Sequence, residues 1–510
     1  MKWWVKLVLQ VGTPLLFSPF LFTSSTALKC AFVVLVMAVY WTLELAPLPV
    51  TSMFPVFMFP FLGILDTNTT STIYLKGTNM MYMGSLMMAL AVEESGLHKR
   101  IAIRALLVAG TGTSRIMFGF MLPTAFLSMW ISNAAAAAMM LPIMEAVLEH
   151  LNLKHKHRTM MLLSVAYAAN VGGTGTIIGT PPNMILMEFL QPYVGQPLNF
   201  GSWILFAVPQ LVLNLVFVWT ILQIYFLGSE IRFLLYKQQT PDLGVKNIFL
   251  EKYKSLGPMS FHEKSVLSLF STLVLIWFTR NPGFMPGWAE LLQSQNAQGK
   301  TITIGSASPT ILVVSLLFLI PRNPKENPDA GTLLTWEQVR TRFPWGIILL
   351  MGGGFALAEG SKASCLTELV GSQLRPLSVL PAPLVLMALC LITSAVSQIA
   401  SNSATTSMVL PVVLNMATVL QVNPLYLALG VTLTASNAFM LPVSTPPNAI
   451  VFSSGGIRIL DMICVGIMLN LSSLVVTLLS LHTHGTLLFN LEQFPAWGNI
   501  TLSAGTSCIN

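Results

Sequence analysis

The sequence comprises 510 residues, of which 54% are hydrophobic and only 9% are charged. Its mean hydropathy is +0.72, which leaves too few polar side chains to cover a water-soluble globule. A net charge of +7 would suggest nucleic acid as a partner of a soluble protein, but here the basic residues separate apolar segments, as topology-setting charges do. Composition therefore predicts an all-α polytopic membrane protein whose partner is the lipid bilayer and not nucleic acid.

The N-terminal segment combines a basic start with an apolar stretch, which is also the pattern of a signal peptide. No small-residue cleavage site follows it, so we interpret it as an uncleaved first span with Lys2 and Lys6 in the cytoplasm. The five cysteines show no Cys-x-x-Cys spacing, and they suggest neither a metal site nor a disulfide framework.

Apolar segments recur along the whole chain and predict about 11 transmembrane spans. Four spans before residue 96 leave the sequon at Asn68 outside as a glycosylation acceptor. Two apolar blocks, at about residues 116–150 and 382–420, fit the charge pattern only if each enters the membrane and returns as a re-entrant helical hairpin. The first hairpin then enters from the cytoplasm and the second from outside. The C-terminus is expected outside, with a second accessible sequon at Asn499.

An internal repeat joins the two predicted hairpins. SNAAAAAMMLP at residues 132–142 and SNSATTSMVLP at residues 401–411 share Ser, Asn, Ala, Met, Leu and Pro at equal offsets. A second shared element follows each of them, GTPPN at 179–183 and STPPN at 444–448. Two elements in the same order indicate a duplication, and the opposite entry sides of the hairpins predict inverted repeats, as in many secondary transporters.

The residue types in these elements suit ions and anions. An Asn side chain at a hairpin tip can cap the following helix, whose free N–H groups attract an anion. Asn and Ser oxygens are neutral hard ligands for sodium. The Pro-Pro steps are expected to break their spans and to free carbonyl groups around Gly179 and Ser444. Ser128 and Ser397, each five residues before its Asn, add a symmetric pair of oxygens.

Structural explanations exist for each motif taken singly. A lone Ser-Asn is usually a cap or an interhelical hydrogen bond, and a lone Pro-Pro is usually a kink. Four elements in two matched pairs favour a functional role, because chance does not place both pairs at membrane depth. The run of alanines at 134–138 is interpreted as close packing behind the tip.

The sequence resembles the divalent-anion:sodium symporters, in particular the animal sodium-coupled dicarboxylate and citrate cotransporters. The resemblance covers nearly the whole chain. The segments that carry it are LHKRIAIRALL (97–107), LSMWISN (127–133), GGTGTIIGTPPN (172–183), PWGIILLMGGGFALAEGS (344–361) and ASNAFMLPVSTPPNAIVF (435–452).

This resemblance implies a homodimer that works by an elevator mechanism, with a scaffold domain and a moving transport domain. The implied segments are four scaffold spans (1–112), transport repeat 1 with the inner hairpin (113–230), a cytoplasmic linker (231–262), further scaffold spans (263–380), transport repeat 2 with the outer hairpin (381–485) and an extracellular tail (486–510).

The resemblance also implies the site residues. The first sodium site would comprise Ser128, Ser132, Asn133 and Gly179. The second sodium site would comprise Ser397, Ser401, Asn402 and Ser444. The substrate carboxylates would meet Asn133, Ala134, Asn402, Ser403, Thr445 and Pro446. Because no His, Lys or Arg is among them, the charge of the anion must be balanced by co-transported sodium ions and helix ends, and no organic cofactor is expected.

The chain departs from the family pattern at the first tip. Ala134, Ala136 and Ala137 stand where relatives carry hydroxyl groups, whereas Ser403 is retained at the second tip. Asn437 occupies a position that is often aromatic near the substrate. These changes put the choice of anion in doubt.

The leading functional prediction is sodium-coupled symport of succinate-like dicarboxylates or citrate at the plasma membrane. A sodium-coupled carrier of sulfate or another divalent oxyanion is the alternative. A membrane enzyme would need clustered ionisable groups at membrane depth, but the candidates, Glu44 and Glu145, are far apart in sequence. A channel is the other alternative class, and Glu93 and Glu94 at a span end are interpreted as solvated.

Overall fold

The computed structural model is built almost entirely of helices. It describes residues 3–109, 113–151, 155–191, 193, 197–228, 243–282, 285–295, 301–302, 304–325, 331–374 and 380–498. Within these ranges, β-structure is limited to the antiparallel pair β1 (Ser294–Gln295) and β2 (Thr301–Ile302) and a single bridge between Pro321 and Thr332. The predicted helical fold class is confirmed.

The helices fall into four groups along the chain. The first group is α1 (Trp3–Phe17), α2 (Thr26–Thr42), α3 (Leu48–Ser52), α4 (Phe54–Leu62), α5 (Thr67–Ile73), α6 (Gly77–Ser95) and α7 (Leu97–Ala109). The second group, which contains the first Ser-Asn motif, is α8 (Thr113–Ser128), α9 (Asn133–Leu151), α10 (His155–Gly173), α11 (Pro181–Leu190) and α12 (Phe200–Leu227).

The third and fourth groups complete the chain. The third is α13 (Leu243–Ser255), α14 (Phe261–Arg280), α15 (Trp288–Leu291), α16 (Ala307–Leu319), α17 (Trp336–Arg342), α18 (Trp345–Ala363) and α19 (Leu366–Leu374). The fourth, which contains the second motif, is α20 (Ala382–Ser397), α21 (Asn402–Val419), α22 (Pro424–Ser436), α23 (Pro446–Ser453), α24 (Ile459–Ser480) and α25 (Thr486–Phe489).

Membrane-spanning length is reached by a subset of these helices. In the described part of the chain, five helical segments are long and apolar enough to cross a membrane: Trp3–Phe22, Asn133–Leu151, Phe200–Leu227, Phe261–Arg280 and Ile459–Phe489. The pair α17 and α18, which is bent by 64°, raises the number to six. Shorter apolar helices, among them Thr26–Thr42 and Ala307–Leu319, lie where other spans are predicted. The count of about 11 spans therefore remains a prediction.

The two predicted repeats pack in the same way. In each predicted hairpin the two helices are neighbours, α8 with α9 and α20 with α21, and both pack on the helix that follows them, α10 or α22. The helix that follows each Pro-Pro step packs against helices of the other repeat. Helix α11 packs against α21 and α22, and α23 packs against α9 and α10. This reciprocal packing supports the inferred duplication.

The polar segment predicted as a linker, residues 231–262, contains a helix. Helix α13 packs against α7 and α9, and its Phe249 is 2% exposed. The ring of Phe249 lies 6.1 Å from that of Phe120 on α8. Phe249 and the partly buried Tyr253 dock a helix whose average composition is polar, which is why average polarity did not reveal it.

One cysteine differs from the sequence interpretation. Cys30 and Cys390 are free and buried, as expected of packing residues. Cys365, however, is disulfide-bonded. The interpretation of the cysteines as packing residues outside any disulfide framework was therefore wrong for Cys365, because the spacing of cysteines along a chain does not report their distance in space.

An ion pair fastens α7 to α14. Arg100 Nε donates to Glu263 Oε1 over 2.8 Å, and Arg100 Nη2 donates to Glu263 Oε2 over 3.2 Å. The two side chains are only 12% and 7% exposed. Arg100 also donates to the backbone carbonyls of Leu256 and Gly257. A pair that is bidentate and shielded from water fixes α7 relative to the start of α14.

Arg100→Ala is expected to destabilise the fold by about 3–5 kcal/mol, because it leaves the Glu263 carboxylate buried without its partner. Thermal unfolding of the detergent-solubilised protein measures this effect. Arg104→Ala is the matched control, since Arg104 lies on the same helix and is exposed. Equal melting temperatures for the two variants would show that the pair contributes no more than a surface charge.

Candidate anion and sodium site

Both Ser-Asn motifs lie at hairpin tips, and in both the serine precedes the helix. Helix α9 begins at Asn133 and α21 begins at Asn402. Ser132 Oγ accepts from the backbone N–H of Ala135 over 3.2 Å, so Ser132 is the N-cap of α9. The expectation that the asparagine side chain caps the helix is therefore wrong. Asn133 and Asn402 are the first helical residues, and their amides are free for other contacts.

A cavity of about 800 Å³ lies between the two tips. The helix starts at Asn133, Pro181, Asn402 and Pro446 all line it. Four positive helix ends thus face one volume, which favours an anion without requiring a basic side chain. The prolines at the starts of α11 and α23 have no N–H, so the free donors come from the tips of α9 and α21.

Most predicted site residues meet in this cavity. Those that line it are Ser132, Asn133, Ala134, Gly179, Ser401, Asn402, Ser403, Ser444, Thr445 and Pro446. Ser128 and Ser397 are fully buried and are not among the lining residues. They lie behind the tips, where they can contact tip residues but not a substrate in the cavity.

The opposite wall of the cavity carries charged groups that the sequence did not assign to it. Glu44, Glu93 and Arg342 line it together with apolar residues of α6 and α18. Arg342 Nη1 donates to Glu94 Oε1, so a carboxylate holds the guanidinium that lines the cavity. The interpretation of Glu93 and Glu94 as simply solvated is therefore wrong. One contributes to the cavity wall, and the other forms an ion pair.

The residues of the predicted first sodium half-site lie close together. Ser128 Oγ lies 2.7 Å from Asn133 Oδ1 and 2.7 Å from the carbonyl oxygen of Ala169. A Cβ atom on Gly179 would come within 2.5 Å of the carbonyl oxygen of Gly173. A Cβ atom on Gly173 would come within 2.4 Å of Asn133 Oδ1. Neutral oxygens of the tip and the loop therefore lie close together, at a separation that only glycine permits, and such oxygens are the hard ligands that suit a sodium ion.

The second half-site is assembled differently. Asn402 Nδ2 donates to the carbonyl of Ser436 over 3.4 Å. Asn402 Oδ1 is buried and has no hydrogen-bond partner among the described residues. A buried amide oxygen without a donor is costly unless a cation or ligand completes its coordination. Ser397 Oγ donates to Ser394 within its own helix over 3.1 Å, and this contact does not join it to Asn402.

Several further predictions are refined by position. Ala136 and Ala137 are fully buried and pack behind the tip as expected, but Ala134 and Ala135 face the cavity. Asn437 is 3% exposed and donates to Ser473 Oγ over 2.6 Å. It is not among the cavity-lining residues, so it does not make the pocket more polar.

The two glycosylation predictions remain predictions. Asn68 is exposed on α5, while the hydroxyl of Thr70, the third residue of its sequon, donates to the carbonyl of Asp66 over 2.8 Å. Asn499 lies outside the described residues.

Sequence reasoning missed the role of the asparagine that ends each Pro-Pro element. Asn183 Nδ2 donates to the carbonyls of Gly173 and Thr176, over 3.3 and 2.7 Å. Asn448 Nδ2 donates to the carbonyls of Ala438 and Leu441, each over 3.1 Å. The signal was present in the sequence, since both asparagines belong to the repeated TPPN element, but the shape of the loops was not.

Comparison with known proteins identifies the family. The family model described as "Sodium:sulfate symporter transmembrane region" matches residues 1–491. The chain belongs to this family. Its relatives include the Na(+)/citrate cotransporter of Rattus norvegicus, 38% identical over 93% of each chain. Solute carrier family 13 member 2 of Homo sapiens is also 38% identical, over 93% of this chain and 91% of that protein. The predicted family, and with it the class of sodium-coupled carrier, is confirmed.

A third relative and two solved structures extend the comparison. The sodium-dependent high-affinity dicarboxylate transporter 3 of Caenorhabditis elegans is 37% identical over 97% of this chain and 89% of its own. The YdaH transporter of Alcanivorax borkumensis has a TM-score of 0.55 at 15% identity, over 92% of this chain and 98% of that one. MtrF of Neisseria gonorrhoeae has a TM-score of 0.52 at 13% identity, over 81% and 82%. At such low identity these structures show a shared transporter fold.

Proposed function

We propose that this protein is a multi-pass plasma-membrane carrier that couples sodium entry to symport of small di- or tricarboxylates, such as succinate or citrate. The observation that carries the proposal is the cavity in which both Ser-Asn tips and both Thr-Pro breaks meet. The names of the relatives, which are citrate and dicarboxylate cotransporters, support the substrate class.

Charge balance gives the reason for sodium dependence. The tips and breaks contribute hydroxyls, amides and helix ends to the cavity, and the one arginine in its wall is paired with Glu94. Fixed positive charge is therefore too weak to hold a dianion alone. Sodium ions at the two half-sites would supply the missing charge next to the substrate carboxylates. More than two sodium ions per dianion would make transport electrogenic.

The proposed movement is of the elevator type. Residues 113–230 and 381–485 would form the transport domain, and residues 1–112 and 263–380 the scaffold through which a homodimer forms. The position of the cavity supports this division, because one wall comes from the tips and breaks and the other from α6 and α18. We place the N-terminus in the cytoplasm and the C-terminus outside, according to the basic residues of the sequence.

Uptake of labelled succinate, citrate and sulfate, with and without external sodium, tests the proposal. We expect sodium to raise the uptake of succinate or citrate by tenfold or more. Without sodium, the substrate lacks at least one charge-assisted contact at the site, and such a contact contributes roughly this factor to affinity. Carboxylate uptake that is indifferent to sodium would contradict the proposal. Sodium-driven uptake of sulfate alone would favour the oxyanion carrier, which the loss of a hydroxyl at Ala134 permits.

The variant Ala134→Thr tests whether the first tip, which lacks the hydroxyl of the second, contacts the substrate. Because Ala134 lines the cavity, a threonine there restores a hydroxyl that can contact the substrate. We expect the apparent affinity for the preferred carboxylate to change about threefold to tenfold, with the sodium dependence unchanged. Ala138→Thr, at an exposed position on the same helix, is the control. Identical behaviour of both variants would mean that position 134 does not contact the substrate.

A further inference from the structure

The two broken spans contain loops of the same construction, although they share little sequence. The residues from Gly173 to Asn183 read GTGTIIGTPPN, and those from Ala438 to Asn448 read AFMLPVSTPPN. Only the last four residues are the same. In both loops, the final asparagine donates to the carbonyls of the residues ten and seven positions before it.

Each asparagine holds a turn that ends at a predicted sodium ligand. In the first loop, the N–H of Gly179 donates to the carbonyl of Thr176 over 3.4 Å. In the second, the N–H of Ser444 donates to the carbonyl of Leu441 over 3.2 Å. The amides of Asn183 and Asn448 donate to these same two carbonyls. The asparagine therefore fixes the start of the turn whose end lines the cavity.

Both loops are also fastened to the hairpin of their own repeat. Thr176 Oγ1 donates to the carbonyl of Met129 over 2.5 Å. The N–H of Met440 donates to Gln398 Oε1 over 3.0 Å. Met129 and Gln398 occupy equivalent positions, each following the paired serines Ser128 and Ser397. A loop held at both points keeps its ligand at a fixed distance from the tip.

Two contacts of the second loop have no counterpart in the first: Asn448 Nδ2 also donates to Ser444 Oγ over 3.3 Å, and Asn170 joins the repeats. Asn170 on α10 donates to Thr445 Oγ1 and to Asn448 Oδ1, each over 3.0 Å. It is 1% exposed. Asn183 Oδ1, by contrast, is buried and has no partner among the described residues. The second loop is therefore connected to a helix of the first repeat, and the first loop lacks the reciprocal contact.

We propose that Asn183 and Asn448 are matched positioning residues, each of which shapes its loop and thereby sets the sodium affinity of the half-site that the loop completes. Asn170 acts on the second half-site alone, through Asn448 and Thr445. This inference rests on the proposed sodium-coupled function and adds the residues that hold its ligands in place.

The test measures sodium dependence separately from maximal rate. Asn183→Leu and Asn448→Leu keep a similar side-chain shape and remove the donors. In cells that take up labelled succinate and citrate, we expect each variant to raise the half-maximal sodium concentration about tenfold, because two buried hydrogen bonds that hold the loop are lost. Uptake at saturating sodium, corrected for the amount at the surface, should be largely retained. Asn214→Leu, a buried asparagine of α12 outside both loops, is the matched control.

The repeats are distinguished by double variants. The free-energy change that corresponds to the shift in half-maximal sodium concentration should be less than additive when Asn170→Leu is combined with Asn448→Leu. It should be additive when Asn170→Leu is combined with Asn183→Leu, because only the first pair is in contact. If the leucine variants do not reach the surface, Asn183→Ser and Asn448→Ser, which keep one donor each, should give smaller shifts in the same direction. The proposal is overturned if both leucine variants have the half-maximal sodium concentration of the native chain. If only the serine variants reach the surface, the same result in both of them overturns it.

A second readout is independent of transport. Sodium stabilises a protein that binds it against thermal unfolding. The sodium concentration that gives half of this stabilisation in the purified protein should rise in both leucine variants. If the native chain takes up neither anion with sodium, the proposed function fails. The role of the asparagines is then decided by this measurement, in which an unchanged sodium concentration overturns it.

Discussion

Asn402→Ala is expected to lower sodium-driven uptake about 100-fold, because we propose that this one side chain contacts both a sodium ion and the substrate. Its Oδ1 atom is buried without a partner among the described residues, and its Nδ2 atom donates to Ser436. Alanine removes both groups. The measurement is initial uptake of labelled succinate and citrate at saturating sodium, corrected for the amount of protein at the surface.

Asn415→Ala is the control for this variant. Asn415 lies on the same helix, α21, and its amide donates to the carbonyl of Thr367, away from the cavity-lining tip. We expect its sodium dependence to match that of the native chain even if its stability falls. Normal uptake by Asn402→Ala would show that the second tip is not the binding site.

Gly179→Ala is expected to produce the second large effect. The added Cβ would lie 2.5 Å from the carbonyl oxygen of Gly173 and 3.1 Å from that of Met129. Both are backbone atoms and cannot rotate away, so the loop must shift. Overpacking of about 1–3 kcal/mol corresponds to a loss of roughly fivefold to 150-fold in sodium affinity. Sodium titration of uptake measures it.

Two glycine variants serve as controls that distinguish an effect on the sodium site from an effect on folding. Gly12→Ala meets nothing within 4 Å and should behave as the native chain. Gly172→Ala brings its Cβ within 2.4 Å of the carbonyl oxygen of Ala125, where α10 crosses α8. It should reduce the amount of folded protein and leave the sodium titration of the remainder unchanged. If Gly179→Ala and Gly172→Ala had the same effects, position 179 would be a packing position only.

The site was predictable where the chain repeats itself. The motifs at Ser132 and Ser401 and the breaks at Pro181 and Pro446 could be matched by offset alone, and all four meet in one cavity. Because the motifs occur in pairs, the sequence indicated that they share one environment. A single copy of each motif would not have indicated this. The distribution of basic residues predicted the re-entrant hairpins, and these stay a prediction.

Contacts between distant segments could not be predicted. Arg342 and Glu94 are 248 positions apart, and Asn170 and Asn448 are 278 apart; no periodicity connects either pair. The helix cap was also misassigned. Both Ser and Asn are good N-caps, so the sequence alone could not show that the helix begins one residue after the serine.

The matched loops imply a strict rule on length. Between Gly173 and Asn183, and between Ala438 and Asn448, most residues differ while the number of residues is the same. An asparagine amide has a short reach, so a single inserted or deleted residue would separate it from both carbonyls at once, whereas many substitutions leave the bonds to the backbone in place. The broken spans should therefore tolerate changes of side chain far better than changes of register, unlike ordinary surface loops, in which insertions are readily accepted.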